Sequence, residues 1–326
     1  MPLTSISKDL DSLTMTIVAE FPVPVRRLWD AYADPRQIEK FWGPPEYPAT
    51  FTRHDLYPGG RSEYYMTGPD GDRSAGYWEF LTVEEGHSFE VRDGFAAEDG
   101  QANEEMPSMR MEFLFEAAGD GSRLTTTTYF NSADELQQLL NMGMEEGTRA
   151  AMAQIDDVVT DLRSFAAGHG VDTQLLGQTQ ARFTRIIRGS VEQVWQAHHD
   201  PELLKRWLLG PDGWVMSEVT VAHAVGDTYR YAWTPEPGVD GEPFALTGEL
   251  KESAPPYREV TTESMEGFPG PATLNEQTLT PLEDGTLLTL VITYADADMR
   301  DSILATGMTG GMETSYARLE SEVLSS

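Results

Sequence analysis

The stretch LWDAYADPRQIEKFWGPP, from Leu28 to Pro45, returns in altered form as VWQAHHDPELLKRWLLGP, from Val194 to Pro211. Laid over each other at a shift of 166 to 167 residues, the two halves place Trp29 on Trp195, Asp34-Pro35 on Asp200-Pro201, Phe41 on Trp207 and Tyr64 on Tyr231. At a shift of 164, DGSRLTTTTYF meets DGTLLTLVITY and NMGMEEGTRAAM meets ATGMTGGMETSY. The order of the matches is kept from end to end, so the chain is a tandem duplication and each copy must build its own core. The 326 residues accommodate two domains of ordinary size. The boundaries expected are a first domain over 1–167, a Gly-bearing linker over 168–176 and a second domain over 177–326.

Each copy opens on an alternating strand, Leu13 to Phe21 and Gln180 to Arg188. Val25 to Ala33 then reads as a short helix that ends at Asp34-Pro35, because a residue before proline is pushed out of the helical region. Pro35 suits the first turn of a second short helix, where a missing N–H costs nothing. Five or six strands follow, punctuated by Pro58-Gly59-Gly60, Pro69-Asp70-Gly71, Gly119-Asp120-Gly121 and Glu283-Asp284-Gly285. A meander is the economical topology. One long amphipathic helix closes each copy, carrying Leu136, Leu140, Met144, Gly147, Ala151 and Ile155 in the first and Leu304, Met308, Met312 and Leu319 in the second. The fold class is α+β, a curved antiparallel sheet in each copy with two short helices, wrapped around a C-terminal helix.

The run W-x-A-x-x-D-P, the stretch DLYPGGRSEYY, and a terminal helix carrying GMEEG or GMTGG resemble the START-related helix-grip superfamily. The resemblance is nearest to the branch named for the activator of heat-shock protein 90 ATPase, and it covers nearly all of both halves. It implies two helix-grip domains. This fold hosts co-chaperones, lipid carriers, polyketide cyclases and natural-product resistance proteins, so it does not by itself imply one activity.

Strand parity selects the side chains that face the interior of the grip. In the first copy these include Tyr64, Met66, Trp78, Met111, Phe113, Thr126 and Thr128. In the second they are Tyr229, Tyr231, Trp233, Asn275 and Gln277. Asn275 and Gln277 align with Met111 and Phe113, while Leu290 and Ile292 align with Thr126 and Thr128, a reciprocal exchange of polarity. A buried amide without partners costs about 1–3 kcal/mol, so the amides fit a cavity better than a solid core. Met144 and Gly147 of the first terminal helix, and Met308, Gly311 and Met312 of the second, are expected along the same space. Trp42 and Trp207, beyond the proline corner, are expected at its mouth.

Signatures of catalysis are sparse. The chain has no cysteine and no G-x-S-x-G, Walker, G-x-G-x-x-G or H-E-x-x-H pattern, so no metal or cofactor is expected. His54 and His223 are expected on one face of the second strand and are the candidate acid–base groups. The net charge is −31, with 13 Lys and Arg against 30 Asp and Glu up to Phe165 and 10 against 24 beyond it. So acidic a surface repels phosphate backbones and anionic lipid, and neither nucleic acid nor a membrane is expected as a partner. The opening residues lack a secretory pattern, and the default expectation is the cytoplasm.

The reading these features support is non-catalytic binding of a hydrophobic, aromatic or polyketide-like small molecule for carriage, sequestration or self-resistance. The alternatives are a cyclase or aromatase, a self-sacrificing resistance protein cleaved by a reactive natural product, and a chaperone ATPase activator.

Overall fold

The computed structural model describes residues 3–97, 100–166 and 170–325, apart from the side chains at 160 and 162–166. The chain divides into two compact units, Met1–Ala167 and Gly168–Ser326.

The first unit runs β1 (Leu3–Asp9), β2 (Thr14–Phe21), α1 (Val25–Ala33), α2 (Pro35–Ile38), then β3 (Ala49–His54), β4 (Arg61–Thr67), β5 (Arg73–Glu84), β6 (Ser88–Phe95), β7 (Ser108–Ala118) and β8 (Gly121–Tyr129), and ends in α3 (Ala133–Asn141) and α4 (Met144–Ala166). The second repeats the plan: β9 (Asp172–Leu176), β10 (Gln180–Ile187), α5 (Val191–His199), α6 (Pro201–Trp207), β11 (Trp214–Thr220), β12 (Thr228–Pro235), β13 (Phe244–Ala254), β14 (Arg258–Met265), β15 (Thr273–Leu282), β16 (Gly285–Thr293), α7 (Ala297–Leu304) and α8 (Met308–Arg318). A π-helical turn over Leu319–Leu324 prolongs α8.

Each unit holds one eight-stranded sheet, in the orders β1-β2-β8-β7-β6-β5-β4-β3 and β11-β12-β13-β14-β15-β16-β10-β9. All pairings are antiparallel: a six-strand meander whose last strand pairs with the opening hairpin. Register breaks fall at Phe51/Arg53 and Phe80/Thr82 in one sheet and at Met216/Glu218 and Leu250/Glu252 in the other. Bulges increase local bend and twist, so both sheets curl at corresponding places.

The proline corners form as expected. Asp34 takes an extended conformation at ψ 115° and its side chain accepts from the Arg36 N–H, capping α2. Asp200 caps α6 in the same way through Glu202 and Leu203.

Two expectations are corrected. Each terminal helix is two helices: Gly143 and Gly307 sit at φ 85° and 87°, a left-handed conformation that glycine adopts without a Cβ clash and that breaks the hydrogen-bond run. The second correction concerns β1 and β9, which extend the sheets beyond the strands read from sequence. Residues 172–176, read as linker, form β9 and pair with β10 from Asp172 to Leu176 through a turn at Gly177. Both are polar, largely exposed edge strands, so they lack the alternation that betrays a half-buried strand. Positions 168 and 169 of the expected linker lie outside the described residues.

Candidate functional site

The interior of the first domain is filled by rings. Trp78, Phe89 and Phe113 are fully buried, with Phe89 stacked on Phe113 at 4.5 Å and Trp42 set edge-on against Trp78 at 4.5 Å. Trp29 and Tyr32 of α1 pack edge-on against Phe115 at 5.3 and 5.4 Å, closing the open side of the sheet. Among these rings lies one carboxylate, Asp93 of β6. Its Oδ1 accepts from Trp78 Nε1 at 2.7 Å and from Tyr64 Oη at 3.2 Å. Burial pushes its carboxyl up to about 7, against the lowering effect of those two donors.

In the second domain the same frame holds a partly open cavity of about 800 Å³. The registers explain why. In the first sheet Ser62, Trp78 and Asp93 sit across from one another on β4, β5 and β6. The corresponding rung of the second sheet reads Tyr229, Gly248 and Glu263. Gly248 is required there: a Cβ would lie 1.7 Å from the Thr262 carbonyl oxygen and 2.6 Å from the Tyr229 ring. The next rungs exchange Phe89, Phe113 and Thr126 for Glu259, Gln277 and Leu290, and Val91, Met111 and Thr128 for Thr261, Asn275 and Ile292. Large rings in one copy are thus replaced by glycine, amides and carboxylates in the other, and the space they filled stays open.

The cavity wall is mainly Trp207, Trp233, Phe244, Leu246, Met308 and Met312, with Gly307, Gly310 and Gly311 along the helical side. A Cβ at any of those three glycines would meet nothing within 4 Å, so they do not serve tight packing of helix on sheet. Two polar groups interrupt the apolar wall. At one, His199 of α5 stacks on Trp195 at 4.1 Å, donates from Nδ1 to the Trp195 carbonyl at 2.8 Å and meets Glu259 with Nε2 at 3.1 Å. Burial works against its protonation, yet the bond and charge of Glu259 outweigh it and raise the imidazole above its ordinary value. Gln277 donates to the other oxygen of Glu259 at 3.4 Å.

The second polar group is Glu263. The Tyr229 hydroxyl lies 3.2 Å from its Oε2 and 3.0 Å from the Thr262 carbonyl, so one proton serves two acceptors. Burial raises the Glu263 carboxyl, with Tyr229 and Asn275 opposing. Tyr231 lies between the two acids, and burial followed by the charges of Glu259 and Glu263 holds its hydroxyl in the protonated form. His198, also on the wall, gives its Nδ1 proton to the Val194 carbonyl at 2.7 Å, and burial lowers its imidazole below the ordinary value.

All nine residues named from sequence for the second half, Trp207 to Met312, line this one cavity. The amides differ from expectation in role: Gln277 holds Glu259, and Asn275 stands beside Glu263 while accepting from Thr273 at 2.9 Å. In the first half Trp42, Tyr64, Trp78, Met111, Phe113, Thr126 and Thr128 meet in a ring-filled interior, while a Cβ at Gly147 would meet nothing within 4 Å. Trp78, Phe113, Thr126 and Thr128 are at most 1% exposed, and both threonine hydroxyls are buried without a hydrogen-bond partner. Tyr64 stacks on Phe51 at 5.0 Å, Met111 is buried, and Met66, Met144 and Gly147 are half-buried.

The two histidine candidates do not share a face. His54 is buried, with Nε2 at 2.9 Å from the Tyr32 carbonyl and Nδ1 at 2.8 Å from Ser62 Oγ; the carbonyl fixes the proton on Nε2, so Ser62 donates to Nδ1. His223 follows β11, is exposed, and gives its backbone N–H to Asp227. His54 is the last residue of β3, whereas His223 lies three residues beyond the end of β11, where strand parity no longer applies. Asp93, His199, Glu259 and Glu263 were missed from sequence. For Glu259 the internal alignment carried the signal, since it places this acid of β14 on the position of Phe89 in β6. Among the described residues no group of three acidic or histidine side chains could hold a metal, and no helix is long and apolar enough to cross a membrane.

A curved antiparallel sheet closed by two short helices and a C-terminal helical segment, built twice, defines a pair of helix-grip domains. The chain belongs to the family of Activator of Hsp90 ATPase homolog 1-like proteins, whose model matches residues 22–160 and again 188–323. Protein Ms6760 from Mycobacterium smegmatis is 49% identical over 52% of this chain and 99% of its own, with a TM-score of 0.46. A protein from Arthrobacter aurescens is 42% identical over 48% of this chain and 92% of its own, with a TM-score of 0.47. No curated protein is significantly similar to the chain.

Proposed function

We propose that the second domain takes up a hydrophobic small molecule in its cavity and holds it without covalent change, for carriage or sequestration, while the first domain serves as a filled counterpart of the same fold. The observation that supports this most is the contrast between the copies: one frame packed with rings, the other holding about 800 Å³ behind an aromatic and methionine wall. A space of this size matches ordinary ligand pockets. Burying about 300 Å² of apolar ligand surface there would contribute roughly 7 kcal/mol before the entropic cost of binding. Methionines on the wall adapt to irregular shapes.

Native mass spectrometry of the protein purified from its own host tests the reading: a bound small molecule is expected, and it should be lost when Gly311 is replaced by Trp. If neither a co-purifying molecule nor any hydrophobic probe binds, while the protein stimulates a chaperone ATPase, the family's name is the better guide.

A further inference from the structure

The cavity carries a charge pattern that narrows what it can hold. Its lining includes Glu259, Glu263 and Asp212, the last paired with Arg318 at 2.9 Å, but no lysine or arginine among the described residues. Glu259 and Glu263 stand four residues apart on one face of β14, about 13 Å along the strand. They are not equivalent. Glu259 is matched by His199, which faces it with an N–H, and by the Gln277 amide. Glu263 has no cationic side chain within 4 Å among the described residues, and its hydroxyl donor is shared with a backbone carbonyl.

The internal duplication provides a control for this position. In the first domain the corresponding acid, Asp93, receives an indole N–H from Trp78 and a hydroxyl from Tyr64. In the second domain the place of Trp78 is taken by Gly248, so the indole N–H is gone, and Glu263 is left with neutral donors alone, the shared Tyr229 hydroxyl and the Asn275 amide. The two rings beside Glu263, Tyr229 and Tyr231, have centroids 5.0 Å apart, and the Tyr231 hydroxyl has no hydrogen-bond partner among the described residues. A half-buried carboxylate met only by neutral donors favours a positively charged donor.

We infer that the second-domain cavity selects hydrophobic molecules bearing a protonated amine, with the ammonium at Glu263 against Tyr229 and Tyr231 and the apolar body along Trp207, Met308 and Met312. This rests on the proposed role of the cavity as a binding site. The amine supplies a charged N–H donor where Tyr229 and Asn275 offer only neutral ones. The chain's net charge of −31 raises the local concentration of such cations but does not by itself orient them.

Three matched probes test it: pyrenebutylamine, pyrenebutanol and pyrenebutyrate, titrated against the whole protein at physiological ionic strength. The amine is expected to bind at least about tenfold more tightly than the alcohol, with the carboxylate weakest. Glu263→Gln should bring the amine-to-alcohol ratio close to one. A preference that survives E263Q would belong to the acidic surface and would overturn the inference. An alcohol that binds as well as the amine overturns it too, while leaving the binding role intact; if none of the three binds, both fail. A carbon-13 carboxyl spectrum of the unmutated protein is independent of the variant's folding: the Glu263 resonance should shift on adding the amine and not on adding the alcohol. Movement of another carboxyl in its place counts against the assignment.

Discussion

Trp78 gives its indole N–H to Asp93 at 2.7 Å across two strands of the first sheet, and the equivalent rung of the second sheet pairs Gly248 with Glu263. One domain uses this rung as a sealed polar contact inside a ring cluster. The other leaves the acid facing a cavity. The predictions below follow from that divergence.

Asp93 makes the first domain sensitive to pH. Its carboxyl, ordinarily at 3.8, is pushed up to about 7 by burial, so between these values the folded state holds a proton that the unfolded state has released. Stability therefore falls as pH rises from about 4 to about 7 and is level above that. Asp93→Asn keeps an acceptor for Trp78, should flatten this slope, and should raise stability at alkaline pH by roughly 2–4 kcal/mol. Urea unfolding of both proteins across the range checks it, and an unchanged slope in the variant would refute the assignment.

Trp78 contributes by packing and by its donor, and two substitutions separate these. Trp78→Ala should cost about 3–5 kcal/mol, the usual range for removing a buried tryptophan. Trp78→Phe keeps a ring but removes the N–H, costing about 1–3 kcal/mol. Because that donor lowers the Asp93 carboxyl, the phenylalanine variant should also move the Asp93 titration upward, which carboxyl spectroscopy would detect.

The second cavity should close when given the residues of the first. Asn275→Met with Gln277→Phe restores the side chains found at Met111 and Phe113, and ligand or probe binding should weaken by about tenfold or more. In calorimetry without ligand the double variant should unfold earlier than the parent, at a cost of about 1–3 kcal/mol, since Glu259 and Glu263 lose their amide donors. Retained affinity would mean that binding occurs elsewhere.

His199 should titrate above an ordinary imidazole because of Glu259, despite the burial that opposes it. Its stabilising contribution is then full below about pH 6.5 and is lost as pH rises through the folded-state value. Glu259→Gln leaves burial in control, so the His199 titration should drop below the ordinary value. Proton spectra of the imidazole resonances would show either outcome.

His54 and His223 should behave as unlike residues. His54→Ala leaves Ser62 and the Tyr32 carbonyl without their partner and should cost about 1–3 kcal/mol. His223→Ala removes an exposed side chain and should change stability by less than about 0.5 kcal/mol. Thermal unfolding of the two variants would separate them.

The duplication, the order of strands and the proline corners were legible in the sequence because they depend on local rules: period-two alternation, the restriction before proline, turn residues and self-similarity. Inward residues such as Trp78, Tyr231 and Gln277 followed from the same alternation. The edge strands β1 and β9 were not legible, since strands with little burial show no pattern. Nor were the breaks at Gly143 and Gly307, where a permitted left-handed conformation was used but not required by the flanking residues. Nor was the end of β11 at Thr220, which leaves His223 in the turn beyond the strand. What the sequence alone determined is that one container was built twice and lined differently. Only the tertiary structure decided which copy stayed open, because cavity volume depends on residues from β4 to β8 and their counterparts meeting across strands, and on the Tyr229 ring lying over Gly248, where a larger side chain would clash.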